Sequence, residues 1–389
     1  MSALQERKQF QNFDNHFKLT LFLEKHPTIK NLLIRVLYIL CKILRRLYSS
    51  SINNSKIVVI INIQRLGDTV FSIPAINQIY NNYEDYKIFI VCWDETKNIL
   101  RLKFNEDDLV PIFKTNFKIA RKIANSEIRN KVKSLNPEIV FDLSGQITSA
   151  SMIFNSGAHT IIGTNLPFFK GLYDKYVEQR KTPHFIDVYL DVVRLVVPIT
   201  DTDELKSFPA NFNLNSKILI HPFAIRKAKE WNLNKFIKLA ENLIKDYEVE
   251  MICPSGFITD DVMFEIREKG IPISETQSID QLIEKIKECS LFICNDSGPI
   301  YIACLLGKAT FTIYGPSNSL YSMIPGKIHR FIRKELKCTP KTEKACFTLE
   351  GIYCPAYECM DLLSFEIVKD QVRSFISKLN LITSTNKIQ

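Results

Sequence analysis

Glycine is scarce in this chain, 12 in 389 residues. The first strand–turn–helix junction, Gln64-Arg65-Leu66-Gly67-Asp68, holds only one. A G-x-G-x-x-G dinucleotide fingerprint and a P-loop are therefore excluded there. Ten cysteines include no C-x2-C pair, so the zinc-knuckle signal is weak and a small disulfide scaffold is excluded. Long uncharged runs are missing too. The most apolar N-terminal stretch is uncharged only from Val36 to Cys41, where a spanning helix needs ~20 apolar residues. A late, charge-interrupted apolar stretch with no small-residue cleavage site also argues against a signal peptide.

What is present is ordinary for a globular protein: 46% hydrophobic and 24% charged residues, with a mean hydropathy of −0.03. That excludes wholesale disorder, collagen-like repeats and a polytopic membrane protein. The length suggests two domains of similar size. The charge of +9 is lopsided: residues 1–56 hold ten Lys/Arg against three acids, leaving only +2 for everything after. A nearly neutral body does not bind nucleic acid.

The charged arm, 1–55, contains IKNLLIRVLYILCKILRRLY at 29–48. Leu32, Leu33, Val36, Leu37, Leu40, Ile43, Leu44 and Leu47 recur at helical spacing, with Arg35, Lys42 and Arg46 opposite and Arg45 beside them. Either this helix packs on protein through Leu33, Leu37, Leu40 and Leu44, or it lies in a membrane interface with its cations on anionic lipid. The charge asymmetry favours the membrane surface.

From Lys56 strand and helix alternate. Apolar runs at 56–63, 87–93, 108–113, 138–144 and 159–164 read as buried strands. Residues from about 68 to 81, 117–135 and 184–196 read as helices. The polar, aperiodic stretch 198–216 reads as a linker; its Asp201-Thr202-Asp203 mimics a metal motif but lies away from any strand end. The pattern restarts with strands at 217–222, 248–256, 291–296 and 309–315, and helices at 234–247, 278–289, 298–307 and 364–380. This predicts two facing, doubly wound α/β domains, 56–197 and 217–363, then a C-terminal helix and tail, 364–389. Ligands would sit in the cleft between them, at the carboxyl ends of strands.

Three segments fall at such ends. Gly67 permits a tight turn before Asp68, which either caps a helix or takes a proton from a hydroxyl. Asn295-Asp296-Ser297-Gly298-Pro299 opens a helix and is either a plain N-cap or a diphosphate site. His221-Pro222-Phe223 through Arg226-Lys227-Ala228-Lys229-Glu230-Trp231 is either a solvated charged loop or a phosphate clamp.

Together these segments resemble glycosyltransferase family 9, the ADP-heptose:lipopolysaccharide heptosyltransferases, from about Lys56 to Leu379. The matches are Arg65-Leu66-Gly67-Asp68 with Pro74-Ala75-Ile76, His221-Pro222 with Ala228-Lys229-Glu230-Trp231, Asn295 to Pro299 with Leu306-Gly307, and Tyr314-Gly315-Pro316-Ser317. The departures are Tyr301, where the family has His, and Phe223, Ala224 and Ile225 in the first donor loop.

The resemblance implies the GT-B fold, here with the amphipathic arm added, and an inverting transfer. Asp68 would be the general base; Lys229, Asp296, Ser297, Gly298 and Tyr301 would hold the nucleotide sugar. Arg65, Gly67, Arg226, Gly315 and Ser317 would line the donor–acceptor cleft. It implies ADP-heptose as donor and a lipid A-linked saccharide as acceptor, at the cytoplasmic face of a bacterial inner membrane contacted through residues 29–48. No cofactor is required for catalysis. Alternatives are another nucleotide sugar, a protein acceptor, or a catalytically lapsed binding module; the oligomeric state is not legible. Cys338, Cys346, Cys354 and Cys359 cluster within 338–359, where some family members bind iron. Free thiols and a structural metal are both open for them.

Overall fold

A computed structural model describes residues 26–49, 54–118, 122–200, 203–211, 217–346, 354 and 356–386, with side chains as far as Leu379. The first part of the arm, Asp201 and Thr202, the end of the linker, 347–353 and the last three residues of the tail lie outside the described residues.

Helix α1 spans Pro27–Tyr48. The first half then contains β1 (Ile57–Asn62), β2 (Lys87–Trp93), β3 (Leu109–Ile112), a separate two-stranded hairpin β4 (Phe117–Lys118) and β5 (Ile123–Ala124), β6 (Ile139–Asp142), β7 (Thr160–Thr164) and β8 (Lys175–Val177). Its helices are α2 (Leu66–Asn82), α3 (Asp94–Leu100), α4 (Ser126–Ser134), α5 (Ile147–Ile153) and α6 (Phe185–Arg194). The second sheet uses β9 (Lys217–His221), β10 (Val249–Pro254), β11 (Ile273–Thr276), β12 (Cys289–Asn295), β13 (Ala309–Tyr314) and β14 (His329–Arg333). Helices α7 (Leu233–Leu243), α8 (Asp260–Glu268), α9 (Ile279–Lys287), α10 (Gly298–Leu305), α11 (Ser319–Ser322), α12 (Glu358–Asp361) and α13 (Phe365–Asn386) complete it.

Both main sheets are parallel and six-stranded, in the orders β3-β2-β1-β6-β7-β8 and β11-β10-β9-β12-β13-β14. Each strand order reverses beside its first strand. That opens a crevice at the carboxyl ends of β1 and β6, and another at those of β9 and β12. Central strands are apolar because helices cover both their faces: Val58, Val59, Ile60 and Ile61 are fully buried.

The two halves touch. Phe71 on α2 packs edge-on against Tyr301 on α10, with ring centroids 4.6 Å apart. Arg101 and Asn98 reach Asp280 on α9 at 2.6 and 2.7 Å. The Tyr321 hydroxyl lies 2.6 Å from the Lys181 carbonyl.

Several expectations need correction. Residues 117–135 are not one helix. The chain makes the β4–β5 hairpin first, and α4 starts only where the Asn125 side chain accepts from Ile128 N at 3.0 Å. Strands β8, β11 and β14 and helix α5 were not legible, being short or only partly buried. The helix read at 364–380 runs on to Asn386.

The arm is not a free appendage over its described part. Helix α1 lies across residues 167–172 so closely that a Cβ on Gly171 would clash with the Tyr38 carbonyl oxygen. Arg45 is buried rather than grouped with the other cations. Its guanidinium bonds Asp174 at 2.6 Å and the carbonyls of Ala158 and His159 at 2.8 and 2.6 Å. Of the four leucines read as a packing face, Leu37 and Leu44 are half-buried while Leu33 and Leu40 are exposed.

Candidate active site

Two of the three sequence segments open the crevice of the second sheet. Lys229 follows β9 in a 3-10 turn, and Asp296 follows the neighbouring strand β12. Lys229 Nζ donates to Asp296 Oδ2 at 2.7 Å, and the Tyr301 hydroxyl donates to Asp296 Oδ1 at 2.6 Å. Burial pushes the Asp296 carboxyl up; Lys229, with Tyr301 and Ser317, more than offsets this and holds it below its ordinary value. Tyr301, the departure from the family's His, is thus a ligand of the key carboxylate. Asn295 ties the two strand ends together. Its side chain donates to the Pro222 carbonyl at 2.7 Å and accepts from Trp231 N at 3.0 Å.

Ser297 precedes α10 with extended backbone and makes no side-chain cap hydrogen bond, so the plain N-cap role is not what holds it there. Gly298 packs closely on the other half. A Cβ there would stand 2.7 Å from the Leu66 side chain of the other half. Gly315 lies under Ala228 and Met360, its would-be Cβ 3.1 Å from each. Arg226, partly desolvated and facing Arg65, has its guanidinium pushed below the ordinary value.

The third segment differs from expectation in one respect. Asp68 does not cap its helix: α2 begins at Leu66 with Arg65 as the cap residue, and Asp68 lies in the first turn. Gly67 is likewise inside the helix rather than in a turn; a Cβ there would press to 3.0 Å on the Tyr301 ring. Desolvation pushes the Asp68 carboxyl above its ordinary value, opposed by Arg65, Lys344, the Tyr189 hydroxyl and Lys229. Lys229 belongs to the second sheet. Gly67 lies against the Tyr301 ring, and Tyr301 bonds Asp296, so the first turn of α2, with Asp68, and the Lys229–Asp296 pair adjoin across the cleft, close enough for the Lys229 charge to act on Asp68.

Beside Asp68 opens a cavity of about 410 Å³. Its wall carries amides and hydroxyls, among them Gln64, Ser144, Gln146, Thr148 and Gln179, and two cations, Lys122 and Lys344. Neutral donors and acceptors of this kind suit a polyol. The 144–148 loop is braced by buried Asp142, which accepts from Ser144 N, Gly145 N, Ser149 Oγ and Tyr173 Oη at 2.6–3.1 Å. Sequence reasoning missed this wall, because its residues are common polar types with no motif. It also missed Lys344, which the Cys-rich segment brings to Asp68. Backbone pairing puts that segment there: Cys346 N donates to the Pro316 carbonyl and Asn318 N to the Lys344 carbonyl, both at 2.9 Å.

Cys338, Cys346, Cys354 and Cys359 line one apolar cavity of about 370 Å³, bordered by Ala228 and Gly315 of the second half. Tyr357 N donates to Cys354 Sγ at 3.3 Å. Burial, then the three neighbouring sulfurs, pushes the Cys359 thiol up to about 11. Among the described residues no three His, Cys, Asp or Glu side chains close around one metal position. The structure therefore gathers the donors without forming a closed site.

Known proteins share this fold and the family pattern. Lipooligosaccharide heptosyltransferase 2 of Campylobacter jejuni is 25% identical over 331 residues, spanning 81% of this chain and 97% of that protein. Among solved structures, a family 9 glycosyltransferase from Veillonella parvula superposes with a TM-score of 0.67 at 16% identity, over 85% of this chain and 99% of that one. E. coli heptosyltransferase WaaC with ADP-2-deoxy-2-fluoro heptose gives 0.60 at 14%, over 82% and 99%. The iron-containing dodecameric glycosyltransferase TibC of E. coli gives 0.51 at 13%, over 85% and 78%. At these identities the structures speak for the fold, two parallel α/β sheets facing a cleft. The family model described as glycosyltransferase family 9 (heptosyltransferase) matches residues 127–350, more than half of the chain. With Asp68 adjoining the Lys229–Asp296 pair across that cleft, the match makes this chain a glycosyltransferase and a member of family 9, the heptosyltransferase family.

Proposed function

We propose that the protein transfers heptose from ADP-heptose to a saccharide of the lipopolysaccharide core, with inversion at the anomeric carbon. The observation that carries this is that Asp68 adjoins the Lys229–Asp296 pair across the cleft. The half around residues 56–197 then holds the acceptor and the half around 217–363 the donor. Asp68 accepts the proton of the attacking hydroxyl, which sits in the amide- and hydroxyl-lined cavity. That oxygen bonds to the anomeric carbon as the bond to the diphosphate breaks, and ADP departs with the electron pair. Lys229, Arg226 and the N-terminus of α10 at Ser297 and Gly298 offset the charge that develops on the diphosphate. Catalysis in this scheme uses protein cations and no cofactor. The activities of the relatives support the donor and the acceptor class.

The four thiols have the softness for a thiophilic metal such as iron, and TibC supports that occupant. Cys338, Cys346, Cys354 and Cys359 would hold it. It would supply no chemistry to the transfer and would fasten the segment that carries Lys344.

The acceptor of this reaction is lipid-linked, which places the enzyme at the cytoplasmic face of the inner membrane. The deciding experiment measures ADP release from ADP-heptose with purified core oligosaccharide. ADP formed only with the oligosaccharide supports the proposal. Release only with another nucleotide sugar or a protein acceptor would redirect it, and donor binding without turnover would mark a lapsed enzyme.

A further inference from the structure

Helix α1 has three sides, and among the described residues only one packs on the fold. At about 3.6 residues per turn, Ile34, Leu37, Cys41, Leu44 and Arg45 point to the body and are buried or half-buried. A second stripe is apolar yet exposed. Leu32, Val36, Ile39, Ile43 and Leu47 are 63, 47, 56, 50 and 71% accessible. Arg35, Lys42 and Arg46 run along the outer flank of that stripe, and the helix holds no acidic residue. A contiguous exposed apolar surface of this kind marks an interaction site.

We propose that this stripe is a membrane-docking surface, seated in the interface of a bilayer rich in anionic lipid. The charge pattern selects the occupant. A second copy laid against the stripe would bring two rows of cations together, whereas anionic headgroups neutralise one row. The helix lies flat rather than spanning: among the described residues no helix is long and apolar enough to cross a membrane. Contact across Gly171 and the Arg45–Asp174 pair hold its axis along the protein surface. The surface is separate from the catalytic cleft. It agrees with a lipid-linked acceptor but does not rest on one.

The test is flotation of the full chain with vesicles of phosphatidylglycerol and phosphatidylethanolamine, against vesicles of phosphatidylcholine alone. Wild-type protein floats with the anionic vesicles only, and loses them in high salt, where the Debye length falls to ~3 Å at 1 M. The triple variant Val36→Gln/Ile39→Gln/Ile43→Gln binds at least about tenfold more weakly, since affinity follows buried apolar area. Replacing Arg35, Lys42 and Arg46 by Gln costs about fivefold per cation. These side chains are exposed, so both variants keep the wild-type melting curve and ADP release on soluble acceptor. Failure of wild-type protein to float, or an apolar variant that floats like wild type, overturns the proposal. So does a wild-type dimer that the apolar variant turns into a monomer, since the occupant would then be a second copy.

Discussion

Lys229 and Asp296 are joined by a 2.7 Å ion pair at the ends of neighbouring strands, the carboxylate buried and the ammonium facing the cleft. Breaking it exposes two consequences. Lys229→Ala should weaken donor binding by about 1.5–3 kcal/mol, the value of a charge-assisted hydrogen bond, as read by calorimetry with ADP. It should also leave Asp296 buried without its cation. The carboxyl is held below its ordinary value of 3.8, so the pair stabilises the fold above that pH and loses the effect as pH falls through the lower folded value. The gap in melting temperature between wild type and variant should therefore be full at neutral pH and close below about pH 3.8. Equal ADP affinity in the two proteins would remove Lys229 from the donor site.

Asp68→Asn should lower turnover about 10²–10⁴-fold, the usual cost of losing a general base, with ADP affinity retained. A capping carboxylate would behave differently, costing about 1 kcal/mol of stability when replaced. Here the charged carboxyl is disfavoured by burial, so Asn should leave the melting temperature unchanged or higher. A stability loss with near-normal turnover would make Asp68 structural.

The acid limb of the kcat/KM profile should lie above 3.8, because desolvation raises Asp68. Lys344 opposes that rise. Lys344→Met should therefore move the limb to higher pH, and Lys344→Arg should restore it. A limb that does not move would confine Lys344 to the acceptor wall.

Arg45→Ala should loosen α1 without touching the cleft. The guanidinium bonds Asp174 and two carbonyls, and leaving such groups unmatched costs about 1–3 kcal/mol. Gly171→Ala should do the same by pushing the Tyr38 carbonyl away. Limited proteolysis between α1 and β1 should then run faster than in wild type, while ADP release on soluble oligosaccharide stays intact. Unchanged proteolysis in both variants would show that these contacts do not hold the helix.

Protein purified without oxygen should carry about one thiophilic metal per chain, measured by elemental analysis, and Cys359→Ser should lose it. The expectation follows from four soft ligands lining one cavity. A metal-free wild type with four free thiols would settle them as packing residues.

Much of the fold was legible locally. Short, β-branched apolar runs such as Ile57–Ile61 favour strands covered on both faces, and their alternation with amphipathic helices points to parallel sheets. Asp68, Lys229 and Asp296 were also legible, because strand ends in such sheets are where ligands bind. The short strands β8, β11 and β14 were not, since a few half-buried residues carry too little periodicity to separate strand from loop.

Two α/β halves, three strand-end segments and a cationic amphipathic arm are legible along the chain. Each of these depends on residues within a few turns of one another. That the Lys229 charge reaches Asp68, that Lys344 acts on the same carboxylate, and that Tyr301 bonds Asp296 come from long-range contacts in the folded chain. The fold alone shows that Arg45, set beside the stripe of Arg35, Lys42 and Arg46, is buried while those three stay outside. The physical reason is the same in every case. A side chain's charge state and partners depend on which distant segments desolvate it, and chain spacing does not encode that contact.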